Sequence, residues 1–404
     1  MEQKLSYLRA RALLLSQVTP VDAETLPLER CGGRILARDI AAEADVPPFD
    51  RSPYDGYAFR ASDSAAASAE HPVTLRVLEE LPAGATPTKP VTAGSAVRLM
   101  TGAPIPQGAD AVVMFERTRF TPDTVTLFAP AACGENVVRA GEDVHAGELL
   151  ARMGTVIDAG LAGTLASQGV RQPLVYRIPR VGVISTGSEL TELGEPLPAG
   201  MIYNSNRYTM TAAVERAGCA AVYLGTARDS AGDIAALIAQ GLKDCDLVLL
   251  TGGVSVGDYD LTPAAMEQAG VRLLARGVDF KPGMACAYGV GDGKLVCGLS
   301  GNPASALTNY CAVVQPALRR LAGRAAEEPE AFDVALESGF PKKSKSVRLL
   351  RGMLRVEAGR AVMRLPESQG NVVLSSAIGC DMMAVIPAGS GALPAGTVLK
   401  GFLI

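Results

Sequence analysis

The sequence predicts a multidomain α/β plus β fold, in which a central doubly wound α/β domain follows N-terminal helical and β modules and precedes a C-terminal β-barrel-like domain. Its 404 residues are 48% apolar and 20% charged, a composition that can supply cores for about two to four domains. From Arg180 onward, apolar strand candidates alternate with helical stretches. On both sides of that region, short β-type runs lie between turns rich in Gly and Pro.

The N-terminal part combines a helix with an inserted β region. Residues 2–17 carry apolar side chains at helical spacing from Leu5 to Leu15, which predicts an amphipathic helix. Later runs such as VTLRVL and DAVVMF are separated by Pro and Gly turns at short intervals, which is typical of a small β domain. We therefore assign a helical and linker domain to residues 1–46 and 144–178, and an inserted β domain to residues 47–143.

The central domain is predicted over residues 179–327 from four apolar runs. These are VGVIST at 181–186, AAVYLG at 220–225, DLVLLT at 246–251 and KLVCGL at 294–299. Strands of this kind are buried on both faces, so helices should cover both sides of a parallel sheet. Helix boundaries are indicated by Asn204 or Ser205, Gly218, Asp229 or Ser230, Gly241 and Pro303. The remaining residues, 328–404, alternate apolar runs with Gly and Pro turns and predict a compact β domain.

Composition excludes several classes of protein. The formal net charge is −4, which argues against a general nucleic-acid binder. Neither a signal peptide nor a run of 18 apolar residues is present, so we expect a cytoplasmic protein that does not enter a membrane. The eight cysteines form no CxxC pair and are expected to be reduced and mostly buried. The two histidines, His71 and His145, are expected at the surface and not in a zinc site.

Chemistry is expected beyond the carboxyl ends of the parallel strands, where ligands bind in open α/β sheets. Acidic residues follow three of these strands: Glu189, Asp229, Asp258 and Asp260. Gly252-Gly253 also follows the third of these strands, and the fourth strand is followed by the Ser300–Pro303 segment, which opens a helix. Bare backbone amides at a helix N-terminus suit an anion, and a few carboxylates suit Mg²⁺ bound to a phosphate. The pattern predicts a phosphorylated ligand with a magnesium ion.

Simpler interpretations stay open for single residues. Asp229 could serve only as a helix cap, and Lys281 in DFKPGMA could be a solvated loop lysine. GGVSVG is not the GxGxxG pattern of dinucleotide sites, and no GxxxxGK[ST] phosphate loop is present. DYDLT starts like a calcium loop, but Pro263 and Ala269 stand at its sixth and twelfth positions, so a calcium loop is excluded.

Ordered motifs along nearly the whole chain resemble one family. PPFDRSPYDGYAFR, RLMTGAPIPQGADAVV and NVVRAGEDV lie in the first part; STGSEL, TGGVSVGDYD, KPG and GLSGNPAS lie in the α/β region; QGNVVLSSAIGCDMMAVIP lies near the C-terminus. Together they resemble the molybdopterin molybdenumtransferases, the MoeA and gephyrin E-domain family. The resemblance implies Mg²⁺-dependent insertion of molybdate into adenylylated molybdopterin with release of AMP, the last step of molybdenum cofactor biosynthesis. It also implies a homodimer, with molybdopterin adenylyltransferase and molybdoenzyme maturation proteins as expected partners.

The resemblance also assigns site residues by their positions in these motifs. It implies catalytic roles for Asp55, Thr101, Asp143, Glu189, Asp229, Asp260 and Lys281, of which Glu189, Asp229 and Asp260 would bind the metal. It implies substrate contacts from Thr186, Gly187, Gly252, Gly253, Ser255, Ser300, Gly301, Asn302, Pro303 and Arg351.

Two positions depart from the family pattern. Met284 stands where many members have the second lysine of KPGK, and Ser300 stands where they have the proline of LPGNP. The first change removes a cation, which either a hydrogen bond from Ser300 or the charge of Arg351 could offset. Two other functions are weighed against the transferase: a non-catalytic molybdopterin-binding carrier or scaffold, and a molybdopterin adenylyltransferase. The retained acidic positions argue against a carrier, and the long N-terminal and C-terminal modules argue against an adenylyltransferase.

Overall fold

The computed structural model describes residues 1–254, 261–325 and 328–404. These residues divide into two units, the first with residues 1–38, 153–158 and 172–404 and the second with residues 39–152 and 159–171. Asp260 and Ser255, both predicted site residues, lie outside the described residues.

A seven-stranded sheet forms the centre of the first unit. In chain order its strands are β1 (Glu2–Leu5), β2 (Arg180–Thr186), β3 (Ala220–Ala227), β4 (Leu247–Thr251), β5 (Arg272–Val278), β6 (Cys286–Gly291) and β7 (Lys294–Leu299). Their order across the sheet is β1-β5-β6-β7-β4-β2-β3. The predicted α/β fold is confirmed, but the sheet is not wholly parallel, because β6 runs antiparallel to β5 and β7. A two-residue turn with positive φ at Asp292 and Gly293 joins β6 to β7, and such a turn can connect only antiparallel neighbours.

Six helices accompany this sheet in the described part of the first unit. They are α1 (Tyr7–Leu15), α2 (Ser205–Arg216), α3 (Ala231–Asp244), α4 (Leu261–Gln268), α5 (Pro303–Asn309) and α6 (Gln315–Leu321), with a π-helical turn at Tyr310–Val314 between the last two. Three predicted starts are confirmed: Asn204 caps α2, Ser230 caps α3, and Pro303 opens α5. In the π-helical turn, the Ala312 carbonyl accepts a hydrogen bond from Arg11 Nε of α1 at 3.0 Å.

The prediction of one helix over residues 2–17 is wrong at its beginning. Residues Glu2–Leu5 form β1, which pairs in parallel with β5 at the edge of the sheet. Leu5 enters the main core, and α1 begins only after Ser6, whose hydroxyl accepts a hydrogen bond from Arg9 N–H. Pairing with a distant strand therefore overrides the local helical spacing of the apolar residues.

Gly241 does not end its helix, because α3 continues to Asp244. A Cβ at this position would lie 2.7 Å from Val248 Cγ2 and 2.8 Å from Leu224 Cδ1. The glycine therefore allows α3 to approach the sheet closely.

We expect Gly241→Ala to reduce the free energy of unfolding by about 1–3 kcal/mol, since the added methyl group overpacks this contact. Denaturant titration measures the change. Gly232→Ala in the first turn of α3 is the matched control: its Cβ meets only Ser230 Oγ, at 3.7 Å, and stability should rise slightly. Equal stability of the two variants would contradict the close-packing role of Gly241.

The C-terminal β domain is a closed five-stranded barrel, which confirms the predicted architecture. Its strands are Phe332–Leu336, Val347–Glu357, Arg360–Arg364, Met382–Ile386 and Val398–Leu403. The long strand Val347–Glu357 closes the barrel because it pairs with both Arg360–Arg364 and Met382–Ile386. The short strand Phe280–Lys281 pairs in parallel with the amino-terminal end of the long strand Val347–Glu357. Two further strand pairs in the first unit are Ala23–Thr25 with Leu174–Tyr176 and Leu190–Thr191 with Ile202–Tyr203.

The second unit contains the predicted small β region as one six-stranded sheet. In order across the sheet, the strands are Ala111–Met114, Gly56–Phe59, Ser95–Leu99, Val73–Leu81, Thr124–Leu127 and Thr118–Phe120. The same unit holds the strand pair Ile40–Ala41 with Leu149–Ala151 and the helix Ala159–Ser167. Tyr57 and Phe59 are almost fully buried in its core.

The predicted placement of the cysteines and histidines is confirmed. All eight cysteines are free thiols, and every one except Cys133 is buried. His71 and His145 are exposed. Within the residues that the structure describes, no helix combines the length and apolar character needed to cross a membrane.

Candidate active site

A cleft of about 760 Å³ opens in the first unit beyond the carboxyl ends of β2, β4 and β7. Its walls bring together many residues predicted from the strand ends and motifs: Thr186, Gly187, Glu189, Asp229, Gly252, Gly253, Gly301, Asn302 and Pro303. Further lining residues come from the start of α2 and from the loop before it, namely Leu190, Ile202, Tyr203, Asn204, Ser205 and Asn206, together with Val254 and Val372.

Glu189 and Asp229 are the two carboxylates among the described lining residues, and both are exposed to solvent. Asp229 does not cap α3. Instead its Oδ2 accepts a hydrogen bond from Ser188 N–H at 3.0 Å, and its own N–H donates to Ser188 Oγ at 3.2 Å. This reciprocal pair fixes the turn that carries Glu189. Gly187 is favoured in the same turn, because its φ of 145° lies in a region that residues with a Cβ rarely adopt.

Glycine backbone also lines the cleft. Gly252 has a φ of 103°, and a Cβ there would collide with Thr186, so the two strand ends approach closely only because glycine stands at this position. Thr262 Oγ1 donates to the Gly252 carbonyl at 2.9 Å and holds the loop. Asn302 and Pro303 bring the N-terminus of α5 to the cleft, and Ser300 Oγ accepts a hydrogen bond from Asn302 N–H at 3.2 Å.

The donor set of the cleft fits Mg²⁺ that is shared with a ligand. Mg²⁺ is usually held by one or two carboxylates together with phosphate oxygens and waters, and not by an all-protein cage. Glu189 and Asp229 supply two such carboxylates. Across residues 1–254, 261–325 and 328–404, no group of three or more His, Cys, Asp or Glu side chains could enclose a metal on its own.

In the second unit, Asp55 and Thr101 are in direct contact. Asp55 Oδ1 accepts hydrogen bonds from Thr101 N–H at 2.6 Å and from Thr101 Oγ1 at 2.8 Å. The backbone bond and then the hydroxyl bond lower the pKa of Asp55. Asp143 is exposed in the same unit, and its N–H donates to the Val46 carbonyl at 2.9 Å. The three residues are therefore ordered polar groups in an exposed setting.

Lys281 and Met284 lie in a turn beside the barrel. Lys281 pairs in register with Arg348, and neither Lys281 nor Met284 is among the residues that line the cleft in the described chain. Both side chains are exposed, Met284 to 39%. Asn309 Nδ2 donates to the Gly283 carbonyl at 3.0 Å and anchors the turn to α5.

Arg351 is a fully buried cation on the long barrel strand. Its guanidinium donates to Thr308 Oγ1 at 3.2 Å, to Ser376 Oγ at 2.9 Å and to the Gly370 carbonyl at 3.3 Å. Its Nε has no hydrogen-bond partner, and no carboxylate in the described chain pairs with it. Burial lowers the pKa of Arg351, because the charged form is removed from water. It borders a cavity of about 250 Å³. A buried guanidinium without a carboxylate suits an anion taken up from solution.

A polar network around Glu192 and Asn204 was missed by the sequence analysis. Glu192 accepts hydrogen bonds from Asn204, Tyr223, Thr226 and Arg207 at 2.7–2.9 Å. Burial by itself would raise the pKa of Glu192, but these hydrogen bonds outweigh it and lower the pKa to about 2. Tyr223 and Thr226 were the available signal, since they interrupt the apolar run of β3 with hydrogen-bonding side chains.

Two family models match the chain in succession. One, described as the MoeA N-terminal region (domain I and II), matches residues 5–169, and the other, a probable molybdopterin binding domain, matches residues 182–320. The molybdopterin molybdenumtransferase of Staphylococcus aureus strain Mu50 is 35% identical over 384 residues, which are 95% of this chain and 91% of that protein. The protein of the same name from Staphylococcus epidermidis strain RP62A is 34% identical over 400 residues, 99% of this chain and 95% of that one.

Solved structures agree with these matches. The crystal structure of the molybdopterin biosynthesis MoeA protein from Pyrococcus horikoshii OT3 is similar with a TM-score of 0.84 and 31% sequence identity, and the match covers 99% of this chain and 100% of that one. A molybdenum cofactor biosynthesis protein from Pyrococcus furiosus has a TM-score of 0.61 at 20% identity and supports the fold alone.

Proposed function

Because the chain belongs to the molybdopterin molybdenumtransferase (MoeA) family, transferases of molybdenum cofactor biosynthesis, we propose that it inserts molybdate into adenylylated molybdopterin in a Mg²⁺-dependent reaction that releases AMP. The observation that carries this proposal is the cleft, which brings Glu189 and Asp229 together with the glycine backbone of Gly252, Gly253 and Gly301. Such a cleft suits a phosphorylated ligand with a divalent cation.

The roles of the residues follow from their chemistry. Glu189 and Asp229, with Asp260, would hold Mg²⁺, which when bound would offset the negative charge of the phosphates. The glycines at positions 252, 253 and 301 leave room in the cleft for the phosphate groups of the ligand. Ser188 keeps Asp229 in place through the reciprocal pair of hydrogen bonds. Asp55, Thr101 and Asp143 are proposed to act in the same reaction, because they stand at the matching positions of the family motifs.

A single assay tests the proposal against its alternatives. Purified protein is supplied with adenylylated molybdopterin, Mg²⁺ and molybdate, and AMP release and metal insertion are followed together. The proposal requires both to occur and AMP release to stop when Mg²⁺ is chelated. Binding without AMP release would indicate a carrier, whereas formation of adenylylated molybdopterin from ATP and molybdopterin would indicate an adenylyltransferase.

We also propose a cytoplasmic homodimer that receives its substrate from a molybdopterin adenylyltransferase and passes its product to molybdoenzyme maturation proteins. Light scattering should give twice the chain mass of 41.8 kDa. A mass of one chain across the micromolar range would contradict the dimer.

Met284→Lys should tighten molybdate binding, because the change restores a cation to the turn that carries Lys281. The turn is exposed, so the added charge pair contributes about 0.2–1 kcal/mol, which corresponds to an affinity increase of up to about 5-fold. Calorimetric titration with molybdate measures the change, and Met284→Gln, which adds no charge, is the control. Unchanged or weaker binding by Met284→Lys would show that this turn does not face the anion.

A further inference from the structure

Glu192 lies outside the cleft but holds together the elements that form one of its walls. Its Oε1 accepts from Asn204 Nδ2 at 2.9 Å, from Tyr223 OH at 2.9 Å and from Thr226 Oγ1 at 2.7 Å. Its Oε2 accepts from Arg207 Nη1 at 2.7 Å. The four donors belong to the loop before α2, to β3 and to α2 itself, so one carboxylate joins three elements.

Asn204 carries this connection into the cleft. It is only 1% exposed, and its backbone or side chain belongs to the cleft lining. Its Oδ1 accepts from Ser185 Oγ of β2 at 3.0 Å and from Arg207 N–H in the first turn of α2 at 3.1 Å. Both functional groups of the Asn204 amide are therefore used, and Glu192, together with the Arg207 N–H, determines which way the amide faces.

The segment with Glu192 also carries Glu189. Ile202 N–H donates to the Glu189 carbonyl at 2.9 Å, and Asn204 N–H donates to the Thr191 carbonyl at 3.0 Å. Residues 189–191 are thus paired along the backbone with residues 202–204, and the side chain of Glu192 closes the end of this pairing.

We infer that Glu192 is a positioning residue: by holding Asn204, Arg207 and the end of β3, it keeps the Glu189 segment and the start of α2 in the geometry of the cleft. The inference rests on the proposed function, which identifies the ligand of the cleft. Glu192 makes no contact with substrate in this role and acts through Asn204 and the backbone of residues 189–191. A carboxylate of this kind holds a site residue in place without contacting the ligand itself. Its loss commonly lowers activity about 10–100-fold.

Glu192→Gln tests the inference, because it keeps the size of the side chain but replaces one acceptor oxygen with a donor. The matched control is Asp246→Asn. Asp246 accepts from both Arg177 nitrogens at 2.6–2.7 Å and from Arg180 N–H at 2.8 Å, but it lies at the opposite, amino-terminal end of β2 and β4. The two variants each break a hydrogen-bonded carboxylate in the same sheet, and only one of them is next to the cleft.

Both variants should lower the melting temperature. Only Glu192→Gln should increase hydrogen exchange in peptides covering residues 187–206 and reduce kcat/KM for AMP release by about 10-fold or more. A decrease in kcat/KM no larger than that of Asp246→Asn, or unchanged exchange at 187–206, would overturn the inference and leave Glu192 a stabilising residue only. If wild-type protein released no AMP, the proposed function would fail, but the exchange comparison would still decide whether Glu192 holds this segment.

Discussion

Glu189→Ala should reduce the rate of AMP release by about 100–1,000-fold while leaving the fold intact. Glu189 is exposed in the cleft and bears no structural hydrogen bond through its side chain in the described chain, so its removal should not disturb packing. It supplies one of only two carboxylates that the described residues bring to the cleft. Losing charge stabilisation at a reacting phosphate commonly costs two to three orders of magnitude.

The measurement is the initial rate of AMP release as a function of Mg²⁺ concentration, with circular dichroism to verify folding. Glu195→Ala is the matched control, because Glu195 is exposed in the same loop and does not line the cleft. Asp229→Ala should lose activity similarly, with an additional effect on the Ser188 turn that it holds. Near wild-type rates for Glu189→Ala at limiting Mg²⁺ would rule out the metal assignment.

Arg351→Met should weaken molybdate binding by about 100-fold. Among the described residues, Arg351 is a buried cation without a carboxylate partner, and it borders a cavity of about 250 Å³. Hydrogen bonds between charged groups contribute about 1.5–3 kcal/mol, which corresponds to a change in affinity of about 10–150-fold. Calorimetric titration with molybdate measures the loss.

The controls for Arg351 separate binding from folding. Arg351→Lys keeps the charge but loses the planar guanidinium and should recover only part of the affinity. Arg360→Met removes an exposed arginine from a hairpin of the same barrel and should not change binding. Full affinity in a folded Arg351→Met variant would mean that the buried guanidinium only stabilises the packing around the barrel strand, through its hydrogen bonds to Thr308 and Ser376.

Strand-end reasoning found much of the cleft because it depends on a general property of parallel sheets. Glu189 and Asp229 follow different strands, and the sheet brings both to one edge. Arg351 was placed by family resemblance, but its burial was not foreseen, since the sequence does not reveal which side of a barrel strand faces α5. Tyr223 and Thr226 alone could not reveal the Glu192 network, because its members come from three elements whose relative positions only the folded chain determines.

The errors in the fold have a similar cause. Residues 2–5 read EQKL, which has none of the β-branched or aromatic residues typical of strands, and they form a strand only because β5 offers an open edge. β6 was missed although Asp292-Gly293 is a recognised hairpin signal, because the regular alternation of strand and helix favoured a parallel sheet. Local patterns identified four of the seven strands, whereas β1, β5 and β6, which complete one side of the sheet, were not predicted.

The pairing of β1 with β5 has a consequence for biosynthesis and for how the protein is divided into fragments. Glu2 pairs with Ala275, so during synthesis residues 2–5 must wait for a strand that is made much later. A fragment that begins at residue 179 would contain all strands of the sheet except β1, and the edge of β5 would be exposed. Exposed apolar strand edges tend to pair with the edges of other molecules. Such a fragment should aggregate during folding, and adding residues 1–15 in trans as a peptide should restore solubility by completing the sheet.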